Sequence, residues 1–116
     1  MPPSWHKEAL KAQSVAARNY AYANLGLHKN DGYDVCDTIH CQVYNGVSNE
    51  QQSTNDAINE TKGVLAYYNN QLINAVYSSS SGGYTDDAEN VWNSSIPYLK
   101  AVNNGLELLL LMSYLL

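Results

Sequence analysis

Phenylalanine is absent from this chain of 116 residues, proline occurs three times, cysteine twice, and lysine and arginine together only six times. Against eleven carboxylates these cations leave a formal charge of −5 and a pI near 4.9. That balance excludes nucleic acid as an expected partner, because holding phosphates takes clustered Lys or Arg. The same scarcity removes the basic amphipathic face that would lie on a membrane surface. The one strongly apolar stretch, Leu106 and then Leu108 to Leu116, is shorter than the roughly 20 residues that a bilayer span needs. No G-x-S-x-G motif occurs and none of the three histidines has the local setting of a serine hydrolase, so no serine nucleophile is expected. Met1-Pro2-Pro3 leads at once into helical sequence, so no secretory leader is expected in this stretch. The length suffices for one modest core.

What is present begins with the stretch Ser4 to Tyr20, which reads as one long helix reaching about Leu25 and ending at Gly26. Ser4 is the expected N-cap, and Ala, Leu, Lys, Gln and Arg fill the interior with strong helix formers. Trp5, Ala9, Ala12, Ala16, Tyr20 and Ala23 recur at helical spacing, giving a mostly alanine face that lets another element approach closely. Glu8 lies beside that face in the first turn. By periodicity alone it is a solvated carboxylate favoured by the helix N-terminus.

The segment from Leu27 to Tyr44 is a polar loop with an Asp31-Gly32 turn, ending in a short extended piece at Gln42 to Tyr44. His28, Cys36, His40 and Cys41 fall within it. Thiolate and imidazole are what zinc takes at a tetrahedral site, although adjacent His40 and Cys41 share an ion only where the backbone turns sharply between them. A Cys36–Cys41 disulfide and two free thiols are the competing readings, and spacing leaves all three open.

A second helix is expected from Ser48 to about Thr61, with Ala57 and Ile58 as apolar contacts and Gly63 as its stop; it is too polar for a core helix. Val64 to Tyr68 and Gln71 to Tyr77 read as a β-hairpin across Asn69-Asn70, a pair tolerant of positive φ. One face of the hairpin is expected to cover the alanine face. Ser79-Ser80-Ser81-Gly82-Gly83-Tyr84-Thr85 follows, small hydroxyl residues and glycines that let a ligand approach and offer donors and acceptors to sugar hydroxyls. Ten tyrosines and two tryptophans suit a sugar-handling surface but also fill cores. Pro97 to Val102 is a last extended segment. The expected fold is α+β: a long N-terminal helix packed on a small antiparallel hairpin, with a second short helix.

Three motifs, in order, resemble one family. Trp5-His6-Lys7-Glu8-Ala9-Leu10-Lys11-Ala12-Gln13 with Ala16-Ala17-Arg18 and Tyr20 is similar to its W-x-x-E-A-L-K-A-Q-x-x-A-A-R-x-Y signature. Cys36-Asp37 with His40-Cys41-Gln42-Val43-Tyr44 matches its C-D-x-x-H-C-Q-x-Y segment, and Ser79 to Thr85 through Glu89, Val91 and Trp92 its S-S-S-G-G-x-T…E-x-V-W segment. The family is the stage II sporulation protein D (SpoIID) domain, shared with LytB-type amidase enhancers.

The resemblance implies a domain over residues 2–102, with 103–116 as an apolar tail. Because the family's domain extends on both sides of this stretch, it also implies a partial domain. It implies a peptidoglycan lytic transglycosylase, a lyase, with Glu8 as general acid and base, its pKa raised by burial against Trp5 or other aromatics. Ser79, Ser80, Ser81, Gly82, Gly83, Tyr84 and Thr85 would line the glycan cleft. Cys36, His40 and Cys41, with His28 as the looser match, would hold a structural zinc. Implied partners are glycan strands and a cell-wall amidase, outside the cytoplasm at the bacterial wall or sporulation septum. The alternative is a non-catalytic glycan-binding or amidase-enhancing module.

Overall fold

The N-terminal residues curl before any helix forms. Trp5 N–H donates to the Pro2 carbonyl at 3.1 Å, and helix α1 then runs Lys7–Ala23. Its N-cap is His6, whose Nδ1 accepts from Glu8 N–H at 3.1 Å. Ser4 is therefore not the cap; it sits inside the turn that follows the two prolines, which cannot donate a main-chain hydrogen bond. The far end stops two residues short of Leu25, because Asn24 closes the last turn through its N–H and its side-chain amide, both donating to the Tyr20 carbonyl. Gly26 then turns the chain away at a φ of +84°.

The computed structural model describes residues 1–38, 40–41, 44–77 and 83–103. The chain divides into two compact units between Tyr77 and Ser78. In the first, α1 packs against helix α2 (Gln52–Glu60). A 3-10 turn over Val47–Asn49 precedes α2, and Glu50 and Gln51 are extended between them, so the predicted helix begins four residues late. Polar as it is, α2 reaches the core: Ala57 is fully buried, together with Leu10 of α1, whereas Ile58 is largely exposed. A methyl group where the helices meet permits close approach, and the remaining polar face stays wet.

The hairpin forms where expected but is shorter. Strands β1 (Tyr67–Tyr68) and β2 (Gln71–Leu72) pair antiparallel with Tyr67 opposite Leu72. Asn69 and Asn70 take φ of 49° and 63°, as a type I′ turn requires. The next rung is shared: Ile73 N–H still donates to the Ala66 carbonyl at 3.2 Å, and a helix side chain takes the place of the reciprocal bond. Asn19, 0% exposed, donates through Nδ2 to the carbonyls of Ala66 at 2.8 Å and Ile73 at 3.1 Å, and accepts from Ala66 N–H at 2.8 Å. Arg18 makes the equivalent link to α2, its guanidinium reaching the Thr61 carbonyl at 2.7 Å, Val64 at 3.0 Å and Ile58 at 3.4 Å. It thereby satisfies carbonyls that the end of α2 leaves without helical partners. Asn19→Ala should cost about 3 kcal/mol, since several buried main-chain groups lose their partner together. Urea denaturation checks this; a loss below about 1 kcal/mol would mean that water replaces the amide.

Among its described residues the second unit is held by an antiparallel association. Tyr84 bridges Asn103, Thr85 N–H donates to the Val102 carbonyl at 3.0 Å, and Ala88 N–H to Leu99 at 2.9 Å. Between them lies a short helix, α3 (Ala88–Trp92), not anticipated from the E-x-V-W stretch. Asp86 accepts from Asp87 N–H at 2.8 Å and from the Asn90 amide at 2.7 Å to start it. The expected apolar tail lies outside the described residues except for Asn103. The architecture is α+β, as the sequence predicts.

Candidate functional site

The loop leaving α1 is folded back by its own polar groups. Gly26 N–H donates to the Asp34 carboxylate at 2.9 Å, and His28 N–H to the Asp34 carbonyl at 3.2 Å. Between these a 3-10 turn, Lys29–Asp31, closes on Gly32 at φ +87°. Further on, Cys41 N–H donates to the Thr38 carbonyl at 3.1 Å. That tight turn is the sharp reversal that adjacent His40 and Cys41 need to face one point.

They do face one point. The donor atoms of His28, Cys36, His40 and Cys41 all lie within 4.8 Å of one another. His28 Nε2 is 3.2 Å from His40 Nδ1; Cys41 Sγ is 3.4 Å from each of these nitrogens; Cys36 Sγ is 3.7 Å from His40 Nδ1. Zinc bonds of about 2.0–2.1 Å to nitrogen and about 2.3 Å to sulfur give tetrahedral edges of about 3.3 Å between nitrogens and about 3.6 Å between nitrogen and sulfur. The separations among His28, His40 and Cys41, and that of Cys36 from His40, lie close to those edges, and two thiolates with two imidazoles are a set zinc favours. Cys36 and Cys41 are both free, with no disulfide between them.

The surroundings favour the ligating form at Cys36. Hydrogen bonding from Thr38 pulls the Cys36 thiol down to about 5, so it is a thiolate at neutral pH, while burial pushes Cys41 up. The Asp31 carboxylate, 3.2 Å from His28 Nδ1, raises the His28 pKa. Tyr33 lies tilted over His28 with ring centroids 5.0 Å apart.

Glu8 stands at the other end of α1. At 1.5 Å per residue the helix rises roughly 22 Å from Glu8 to Ala23, so the donor cluster is remote from the acid. The carboxyl is not buried against Trp5 or any aromatic: its side chain is 69% exposed, and Lys11 Nζ approaches at 3.4 Å. The expected burial is absent because α2, the partner of α1, engages Lys7 at this end, through a 2.6 Å pair with Glu60. The hollow of about 370 Å³ beside α1 and α2 is lined by Met1, Leu10, Ser14, Ala17, Thr54 and Ile58 among others, and not by Glu8.

Of the expected glycan-lining residues, Ser79, Ser80, Ser81 and Gly82 lie outside the described residues. Gly83 is buried at φ +103° and Tyr84 is largely exposed. The Thr85 hydroxyl accepts from Val102 N–H at 2.7 Å, so one face of it is engaged within the fold. Arg18, Asn19, Asp31 and Thr38 were not singled out by sequence reasoning. An amide inside a helix next to an alanine face was the available signal for Asn19, and a hydroxyl between the C-D and H-C pairs the one for Thr38.

The family model SpoIID, Stage II sporulation protein, matches residues 1–68. Over 101 residues the chain is 50% identical to the amidase enhancer of Bacillus subtilis, covering 87% of this chain and 13% of that protein. It is 40% identical over 119 residues to stage II sporulation protein D of the same organism, covering 90% of this chain and 35% of the relative. The protein of that name in Bacillus amyloliquefaciens is 38% identical over 120 residues, again 90% and 35%. The chain thus spans between about an eighth and about a third of these relatives' length. With the family signature matched over more than half of its residues, the chain belongs to the SpoIID, stage II sporulation protein, family.

Proposed function

We propose that this chain carries the acid-bearing segment of a peptidoglycan lytic transglycosylase, with residues 2–102 as its SpoIID part. One observation carries the proposal. Within the signature helix Lys7 is paired to Glu60, Arg18 closes the end of α2 and Asn19 holds the hairpin, whereas Glu8 is open to solvent and, among the described residues, its carboxyl pairs with Lys11 of the next turn.

The chemistry needs one carboxyl. Protonated Glu8 donates to the glycosidic oxygen between N-acetylmuramic acid and N-acetylglucosamine as the bond from that oxygen to the muramoyl anomeric carbon breaks. The resulting carboxylate takes the proton of the muramoyl C6 hydroxyl, whose oxygen closes on the same carbon to give an anhydro ring. Neither water nor a second carboxylate takes part, unlike two-carboxylate hydrolysis. In this unit Glu8 is dried by the strand laid over it, not by a preformed pocket. The Ser79 to Thr85 segment supplies contacts to sugar hydroxyls. His28, Cys36, His40 and Cys41 would hold a zinc ion that braces the loop and, being remote from Glu8, activates no water. The substrate puts the protein outside the cytoplasm, at the wall or the sporulation septum.

Incubation with purified glycan strands should yield anhydro-muramic ends by mass spectrometry. A second reading, amidase enhancement by strand binding alone, is favoured by the name of the 50% identical relative. It predicts intact strands and faster amide cleavage by an added cell-wall amidase, unchanged in Glu8→Gln.

A further inference from the structure

We infer that Asp31 and Thr38 are the positioning residues of the candidate metal centre, Asp31 by fixing the His28 ring and Thr38 by fixing Cys36 and His40 as a pair. This rests on the reading of the four-donor cluster as a zinc site. The two histidines present different atoms to the common point: His28 its Nε2 and His40 its Nδ1, 3.2 Å apart. A neutral imidazole has one lone pair, so each ring works only in one tautomer.

For His28 the choice is made by Asp31. The 3-10 turn brings Asp31 N–H to the His28 carbonyl at 2.9 Å and its carboxylate to His28 Nδ1 at 3.2 Å. Nδ1 then carries the proton and donates it, which leaves the Nε2 lone pair facing the cluster. Carboxylate, imidazole and ion in line is the arrangement that orients ligating histidines. The His28 side chain is 18% exposed and that of Asp31 60%, so the carboxylate has a wet side and its replacement leaves no buried void.

Thr38 works on the other pair. His40 N–H lies 3.3 Å from Thr38 Oγ1, and the same oxygen lies 3.2 Å from Cys36 Sγ. Because the oxygen accepts from the amide, its own proton is free to point at sulfur, and a thiolate there accepts it. One hydroxyl thus sets the spacing between Cys36 and the backbone of His40, while the Thr38 carbonyl sets Cys41. The ring of His40 follows from its backbone: next to Cys41, the nearer nitrogen, Nδ1, is the one that reaches.

The test is zinc affinity, by competition with a chromophoric chelator, on the chain and its variants. Asp31→Ala and Thr38→Val should each bind zinc about 10- to 100-fold more weakly, the usual cost of losing an outer-shell partner. Thr38→Ser keeps the hydroxyl and should restore affinity, which a purely packing role for the threonine methyl would not allow. Nitrogen-15 shifts of the zinc-loaded chain should show a protonated Nδ1 in His28 and a protonated Nε2 in His40. Variants that match the wild type within twofold, or the reverse tautomers, overturn this inference and leave the zinc site standing. A wild-type chain that takes up no zinc overturns the zinc reading itself.

Discussion

Glu8→Gln is expected to lower the release of anhydro-muramic ends from glycan strands by about 10³-fold, within the range that a positioned acid and base contributes. Glutamine keeps the size and hydrogen-bonding shape of the side chain but neither gives up nor takes the proton that both halves of the reaction use. The loss should come without loss of fold. Glu8 is exposed and pairs with Lys11 across one helical turn at 3.4 Å, and such surface pairs contribute little. Its main-chain N–H keeps the cap made by His6. Product analysis with a thermal melt of the same preparation checks both halves. Equal release by the variant would remove Glu8 from the mechanism, and a large fall in melting temperature would make the carboxyl a structural group.

Chelation of zinc should lower the melting temperature by about 10 °C or more, because in small modules the free energy of metal binding is largely folding free energy. The apolar residues fully buried in the described part of the first unit are Leu10 and Ala57, both in the helix pair. No described residue of the loop after Gly26 is buried, and tight turns and the donor cluster hold the chain there. Loss of the ion should therefore abolish amide protection between Gly26 and Tyr44 first. The α1–α2 pair and the hairpin, held by Lys7, Arg18 and Asn19, should keep theirs longer. Hydrogen exchange with and without chelator, followed by readdition of zinc, checks the order. An unchanged melting temperature and an unchanged loop would exclude a bracing metal.

How far the sequence reveals this fold depends on whether the determining contacts are local. The Asn69-Asn70 turn was legible because two residues with positive φ form a turn by themselves. The cluster of His28, Cys36, His40 and Cys41 was legible as a set of donors, but its convergence was not. It requires Asp34, through its carboxylate and its carbonyl, to close one side of the loop and the Thr38 carbonyl to turn the other, contacts that composition hides.

The strand lengths were misjudged for the opposite reason. Alternation runs on through Val64 and Val76, yet Asn19 from a distant helix replaces one of the two main-chain bonds between Ala66 and Ile73. The N-cap went astray because Ser4 has the better propensity, while the two prolines and the His6 ring decide where the helix starts. For Glu8 helical periodicity reads a solvated carboxylate and the structure leaves it so, whereas the burial implied by the resemblance is absent, because α2 packs on α1 without covering it.

Oxygen-18 water offers the sharpest test of whether this carboxyl drives ring closure. With purified glycan strands cleaved in labelled water, an internal attack by the muramoyl C6 hydroxyl leaves the new ends free of label. Reducing ends carrying one labelled oxygen per cleavage, or strands left uncut, would contradict the account.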